Sequence, residues 1–396
     1  MFRSKRKIYL DNAAATGMDE DVFKLVKEKE KKYFANPSAL YKSAVDAKKD
    51  LENSRLQVAQ ILGSQVDTIL FTHGGTQSCN MAVLGMFSPT DTKKHIITTQ
   101  IEHHAVLSPI KELEKQGHEV TYLPVDENGI VHIDDVKKAL KENTVFVSIM
   151  YANNEIGSIQ PIAEIGREIL KWRKKHSTLF PYFHSDACQV AGELDIKVEH
   201  LHVDLLSLNG SKLYGPKSVG ILYKRRKIPL HPRTFGGGQE FGYNPGTEDV
   251  AKAAGIAYAL TLAYKKKEKN KVYQSKLCKK LFQDLKNEFG DIVLNGPGIG
   301  SPFRLSNNLS VQFPGIDAEM FAIYLDKEGI EVGLGSACTT SSDEISHVLQ
   351  AIGLSTDQVK NTLRFTVSKK TTLADIYYAQ KYVVSIYRKL RKNMYE

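Results

Sequence analysis

Between Ile69 and Tyr223 the chain repeats one pattern: a short apolar run, then polar or glycine residues, then a helical stretch. Ile69–Phe71 leads into Thr72-His73-Gly74-Gly75-Thr76, with a helix expected over Met81–Phe87. His95–Thr99 leads to Glu102-His103-His104 and a helix over Ala105–Gln116. Val145–Met150 leads to Asn153-Asn154-Glu155 and a helix over Ile162–Lys174. Tyr182–His184 leads to Asp186-Ala187-Cys188-Gln189. Leu205–Leu208 leads to Asn209-Gly210-Ser211-Lys212, and Val219–Tyr223 follows. Such alternation predicts an α/β fold, a mostly parallel sheet covered by helices. Ligands of open α/β sheets bind outside the carboxyl ends of the strands. His103, Asn154, Asp186, Gln189 and Lys212 are therefore expected to share one crevice with the Gly74-Gly75-Thr76 turn.

The flanking segments extend this plan. Ile8–Leu10 reads as a strand running into the small residues Ala13-Ala14-Ala15, which suggests close packing. A charged helix over Asp19–Lys32, an Asn36-Pro37-Ser38 turn and an amphipathic helix over Ser43–Leu62 come next. A second glycine-rich loop, Phe235-Gly236-Gly237-Gly238-Gln239-Glu240 and Pro245-Gly246-Thr247, precedes a long helical region over Asp249–Phe289. That region reads as the hinge into a smaller domain, and 396 residues leave room for two. The second domain reads as mixed α/β. Its strands fall near Ile292–Leu294, Leu309–Phe313, Ile330–Gly333 and Thr362–Val367, its helices near Ala318–Glu328 and Leu373–Arg391.

Composition removes several classes of function. There is no apolar run of about eighteen residues, so no membrane span is expected. The basic N-terminus lacks the apolar stretch of a signal peptide. Cys79, Cys188, Cys278 and Cys338 show no CxxC spacing, which argues against a zinc site or a disulfide framework and fits a reducing cytoplasm. A net charge of +9 raises nucleic acid as a partner, but much of it lies in mixed runs such as Lys265–Lys271 that read as exposed helix faces. No direct specific nucleic-acid binding is expected.

Three features point to chemistry. Lys212 lies on a turn after an apolar strand, where the scaffold holds it, and lysine amines form Schiff bases with aldehydes. Strand, Gly-Gly-Thr and helix in succession suit a phosphate, because backbone N–H groups and a helix N-terminus converge there. Cys338 lies in Gly333-Leu334-Gly335-Ser336-Ala337-Cys338-Thr339-Thr340-Ser341-Ser342, a stretch of small and polar residues predicting a mobile surface loop. Singly, the crevice residues have ordinary readings: Lys212 a solvated lysine, His103 a helix-start residue, Asn154 a turn former, Asp186 a helix cap. Their occurrence after successive strands is what sets them apart.

In this order the motifs resemble those of the cysteine desulfurases, within the class-V aminotransferase family of pyridoxal-phosphate enzymes. They are IYLDNAA from Ile8, GGT from Gly74, EHHAV from Glu102, NNEIG from Asn153, DACQ from Asp186, KLYGPK from Lys212, GGGQE from Gly236, PGT from Pro245, GSACT from Gly335 and LRFTVSKKTT around Arg364. The resemblance implies the fold type I of pyridoxal-phosphate-dependent transferases. A large domain (16–260) would hold a mostly parallel seven-stranded sheet, a smaller α/β C-terminal domain (261–396) the cysteine loop, and residues 1–15 would join the small domain. It implies pyridoxal 5'-phosphate as cofactor, with Lys212 as its Schiff-base lysine. Asp186 would face the pyridine nitrogen, Gln189 the ring hydroxyl, and His103 would stack on the ring and move protons. Gly75, Thr76, Ser211 and, across a dimer interface, Thr247 would hold the phosphate, with Asn154 and Asn209 also at the cofactor. Asn36, Asn154 and Arg364 would receive the substrate, Arg364 as a two-pronged carboxylate clamp. Cys338 would take sulfur from L-cysteine as a persulfide, leaving L-alanine. The implied protein is a cytoplasmic homodimer that passes sulfur to an iron–sulfur scaffold or a tRNA-thiolation enzyme. No resident metal is implied, although Cys338 could transiently ligate an iron–sulfur unit with a scaffold.

The chain departs from the family pattern at several places. Gln77 stands where a glutamate is usual and Asn244 where an arginine is usual. Asn209 and Ser211 replace a serine and a histidine before the lysine, and Tyr41 and Ala44 replace a histidine and a glycine. A related lyase, a selenocysteine lyase and a non-catalytic scaffold of the same fold stand as alternatives. Cys79, expected at a helix start, is the rival nucleophile.

Overall fold

A computed structural model describes residues 6–88, 93–335 and 345–395. In chain order the strands are β1 (Ile8–Leu10), β2 (Ile69–Thr72), β3 (His95–Thr99), β4 (Glu119–Leu123), β5 (Thr144–Ser148), β6 (Tyr182–Asp186), β7 (Leu205–Asn209), β8 (Gly220–Lys224), β9 (Val293–Leu294), β10 (Asn308–Gln312), β11 (Ile330–Leu334) and β12 (Thr362–Thr366). Among the described residues they form two sheets. One has seven strands in the order β2-β8-β7-β6-β5-β3-β4, and the other five in the order β1-β11-β12-β10-β9.

In the larger sheet only β8 runs against its neighbours. Successive residues of a strand face opposite sides, and here both sides are apolar. Phe146, Tyr182 and Leu205 pack into one core with Met81, Val106 and Ile110. The next residues along the same strands, Val147, Phe183 and Leu206, pack into another with Leu51, Ile165 and Ile256. Continuous apolar runs are what a sheet buried on both faces requires. The smaller sheet is antiparallel apart from the β1–β11 pair, and it packs Leu309, Val311, Leu363 and Phe365 against Leu281, Phe321 and Tyr387.

Several boundaries differ from the sequence expectation. The helix after β2 starts at Gly75, not near Met81, and spans Gly75–Leu84. The long helical region is two helices, Val250–Lys265 and Lys267–Glu288, parted at Lys266. β4 and short helices at Ile133–Ala139, His347–Ala351 and Thr356–Lys360 are additional elements. Among the described residues no helix is long and apolar enough to cross a membrane.

Candidate active site

The parallel strands deliver their polar ends to one cavity of about 270 Å³. Its wall includes Gly75, Thr76, His103, Asn154, Asp186, Gln189, Asn209, Lys212 and Arg364. Ser211 is beside the cavity lysine but outside the wall, its hydroxyl donating to Asn209 Oδ1 over 3.1 Å. Thr247 and Asn36 are exposed and apart from the cavity, and Asn36 Oδ1 accepts from the Ser38 N–H within its own turn. Cys338 lies outside the described residues.

After β2 the chain turns through Gly74, whose φ of +122° is a conformation that favours glycine. Gly75 then opens the helix. A Cβ there would come 2.8 Å from Cys188 Sγ, so only glycine lets this helix start approach the strand ends. The first N–H groups of a helix lack internal partners and make its start electropositive. An anion-binding end is thus set into the cavity wall.

Lys212 follows β7 on a single tight turn, Gly210–Lys212. Its amine donates to the carbonyls of Ala13, at 2.8 Å, and Ala14. Gln189 Nε2 donates to the same Ala13 carbonyl over 3.0 Å. The N-terminal segment is itself tied to β12: Asn12 Nδ2 donates to the Thr366 carbonyl (2.7 Å), and the Ala13 N–H to Thr366 Oγ1 (2.9 Å). Residues from both sheets therefore set the lysine.

Asp186 ends β6, buried, and accepts the Cys188 N–H over 2.9 Å. Two residues earlier on the strand, His184 is bonded to Ser148 and Ser207, and burial pushes its pKa down to about 4, so it is neutral. His103 caps the helix His104–Lys115, its Nδ1 accepting the Ala105 N–H (3.0 Å). Burial lowers the pKa of His103, with Asp186 acting the other way and Lys212 adding to the lowering. A neutral ring with Nδ1 as acceptor carries its proton on Nε2.

Arg364, on β12, closes the other wall. Nη2 donates to Asp11 Oδ1 (2.7 Å) and Nη1 to the Asn154 carbonyl (3.1 Å), while Nε is buried without a hydrogen-bond partner. A Cβ at Gly333 would meet Asp11 Oδ1 at 2.5 Å and Arg364 Nη2 at 2.8 Å, so glycine on β11 leaves the space the guanidinium occupies.

Further cavity residues were absent from the sequence-based set: Glu102, His104, Glu155, Cys188 and His347. Burial raises Glu102 to about 8; it accepts from the Met150 N–H and the Thr99 hydroxyl through Oε1, and Oε2 has no partner. Burial likewise raises Glu155 to about 7, against a 2.6 Å hydrogen bond from Ser346 and the charge of Arg364. His347 lies edge-on to His104, ring centroids 5.0 Å apart, and bonds the Glu102 carbonyl at 2.9 Å. Motif spacing signalled the run Glu102-His103-His104, but nothing local to His347 ties it to that run.

The rival thiols are unsuited to attack. Cys79 is in the second turn of its helix because the helix starts at Gly75, and it is fully buried. Burial raises the pKa of Cys79 and Cys188 well above the usual thiol value, and that of Cys278 to about 12. Cys79, the rival nucleophile, thus lies beyond the helix start, and burial raises its thiol pKa where a helix start would lower it.

An α/β sheet with a lysine, an aspartate and a helix start around one cavity defines a class of cofactor-dependent enzyme. The Aminotransferase class-V family model matches residues 8–378, and the chain belongs to that family, in its cysteine desulfurase branch. It is 42% identical over 388 residues to cysteine desulfurase IscS of Dictyoglomus turgidum, covering 98% of this chain and 96% of the relative. It is 40% identical to the putative cysteine desulfurase IscS 1 of Bacillus subtilis, covering 97% and 99%. A solved NifS-like protein superposes with a TM-score of 0.89 at 33% identity, covering 97% of this chain and all (100%) of that one. The family depends on pyridoxal phosphate.

Proposed function

We propose that this protein is a pyridoxal-phosphate-dependent cysteine desulfurase, which moves the sulfur of L-cysteine to Cys338 and releases L-alanine. The observation that carries this reading is the single cavity in which Lys212, Asp186, His103 and Arg364 meet. The donor set fits the cofactor: an amine for its aldehyde, a buried carboxylate for its ring nitrogen, and a helix start at Gly75 and Thr76 for its phosphate. When bound, the cofactor supplies an electron-withdrawing ring that stabilises negative charge at the substrate α-carbon.

Lys212 would hold the cofactor through its aldehyde, and its freed amine would take the proton from the substrate α-carbon. Asp186 would hold the protonated ring nitrogen and Gln189 the ring hydroxyl, while His103 holds a proton at Nε2 for transfer within the cavity. Asn209 and Ser211 support the phosphate side. Arg364 binds the substrate carboxylate beside Asn154 as a two-pronged clamp at the cavity wall. Cys338 attacks as a thiolate. Its sulfur bonds to the substrate sulfur, and the bond from that sulfur to the substrate β-carbon breaks. The net exchange converts cysteine and a protein thiol into alanine and a protein persulfide. Asn36 has no part in this reading.

Intact-mass measurement after cysteine addition tests it. The parent should gain sulfur on Cys338 and release alanine. Cys338→Ser should keep the visible absorption of the bound cofactor, gain no sulfur and release little alanine. Turnover by Cys338→Ser at the parent rate would leave a lyase of the same fold in its place.

The reading extends to assembly. Thr247 is exposed and outside its own chain's cavity, which suits a homodimer whose loops complete each other's phosphate site. Mixing inactive Lys212→Ala chains with inactive Thr247→Ala chains should restore part of the activity, since one hybrid site carries neither defect. An active monomer in sedimentation would contradict this. The persulfide then passes to an iron–sulfur scaffold or a tRNA-thiolation protein, and the unpaired cysteine spacing fits a cytoplasmic setting.

A further inference from the structure

Strand β2 is an edge strand, paired only with β8. Its outer backbone groups are satisfied by side chains. Glu240 accepts the Phe71 N–H (2.8 Å), Asn244 Nδ2 donates to the Phe71 carbonyl (3.0 Å), and Arg55 Nη1 donates to the Ile69 carbonyl (2.8 Å). The turn that brings Glu240 and Asn244 there is unusual. Glu240 and Phe241 both have positive φ, 47° and 58°, a conformation that non-glycine residues rarely adopt. A buried pair between Glu240 and Arg55, at 2.6 and 2.8 Å, holds it.

Asn244 also reaches the helix that opens at Gly75. Its Oδ1 accepts from Gln77 Nε2 at 3.0 Å, and Gln77 Oε1 accepts the His73 N–H at 2.6 Å. The result is a directed relay: His73 N–H to Gln77, Gln77 to Asn244, Asn244 to the Phe71 carbonyl. Each amide uses its donor and its acceptor, so neither can flip without setting like groups against each other. Gln77 lies in the first turn of the Gly75–Leu84 helix, the anion-binding end. Gln77 and Asn244 are also two of the positions where the chain departs from the family pattern.

We propose that Gln77 and Asn244 are a matched pair of positioning residues. They fasten the cofactor-phosphate end of the Gly75–Leu84 helix to the loop bearing Thr247 through neutral hydrogen bonds, and so keep a carboxylate away from the phosphate. The proposal rests on the cofactor site assigned above.

The single changes should then fail for a specific reason. Gln77→Glu sets a carboxylate against Asn244 Oδ1 and beside the bound phosphate. Asn244→Arg leaves the new charge facing an amide. Together they form an ion pair across the same gap.

Stripped protein titrated with pyridoxal phosphate, followed by absorbance at low and high salt, tests the pairing without any turnover. Gln77→Glu should weaken cofactor binding about tenfold, the effect of a lost hydrogen bond together with charge repulsion. Gln77→Glu/Asn244→Arg should recover to within about threefold of the parent at both salt concentrations, since a part-buried charge pair is only weakly screened. Thermal midpoints of the stripped proteins identify variants that fail to fold, and Asn244→Asp, which sets an acceptor against the Phe71 carbonyl, then supplies a second single change expected to weaken binding. Parent-like binding by Gln77→Glu or Asn244→Asp, or a double variant no better than Gln77→Glu, would overturn the pairing. A parent that does not bind pyridoxal phosphate would overturn the cofactor reading instead.

Discussion

Two arginines are equally withdrawn from water and are treated differently. The Arg55 side chain is 3% exposed and that of Arg364 1%. Arg55 meets a partner carboxylate as buried as itself, makes two bonds to it and a third to a strand carbonyl, and its rim is closed by the rings of Phe71 and Phe241. Arg364 lines the cavity, meets a carboxylate that is 18% exposed, makes one bond to it, and leaves its buried Nε without a partner. Burying an unfilled donor costs stability. The saturated arginine is architecture; the one at the cavity is the one we propose receives the substrate carboxylate.

Arg55→Ala should give the largest effect on folding. It strands the Glu240 carboxylate in the interior, which costs about 3–5 kcal/mol, and a denaturant titration reads it. Arg364→Ala should cost less stability, because water reaches Asp11, but should weaken cysteine binding by about 1.5–3 kcal/mol while the cofactor stays bound. Spectral titration with cysteine measures that change. Equal destabilisation by the two variants, with cysteine affinity intact, would erase the distinction.

The smallest effect concerns pH. The cavity wall holds two carboxyls raised by burial, Glu155 to about 7 and Glu102 to about 8, from an ordinary 4.5. Below that ordinary value both the folded and unfolded chains keep these protons. As pH rises, the unfolded chain releases them first, so folding stability falls across the window up to about pH 8 and then levels. Glu102→Gln should flatten this fall in thermal midpoints taken from pH 5 to 8. Identical slopes in variant and parent would mean that the Glu102 carboxyl is ionised throughout.

How much of this was legible in the sequence depended on whether the cause was local. The parallel strands are legible because both faces are buried and each strand is a continuous apolar run. β4 is not, because as an edge strand it carries Glu119 and Thr121 among half-exposed positions. The helix start at Gly75 was hidden because glycine reads as loop, while here it answers to the nearness of Cys188. Lys212, Asp186 and His103 stood out because each follows a strand. His347 and Glu155 did not, since their roles come from distant contacts, to the Glu102 carbonyl and to Ser346. The link between Gln77 and Asn244, 167 residues apart, is likewise a property of the folded chain alone.

The N-terminal segment carries a consequence for synthesis. Ala13 and Ala14 hold the Lys212 amine, yet their own strand, β1, pairs with β11, from Ile8 with Ile330 to Leu10 with Val332. Strand β1 must therefore wait for β11, which is made much later in the chain. A nascent chain that has emerged as far as Lys224 can complete the seven-stranded sheet, since domains fold as units during translation. Its lysine is then in place, but β1 has no strand to join and the carbonyls that hold the amine are unanchored. The setting of that lysine is completed only when β11 and β12 have been made, so a truncated chain carries the reactive amine without its two-sheet support.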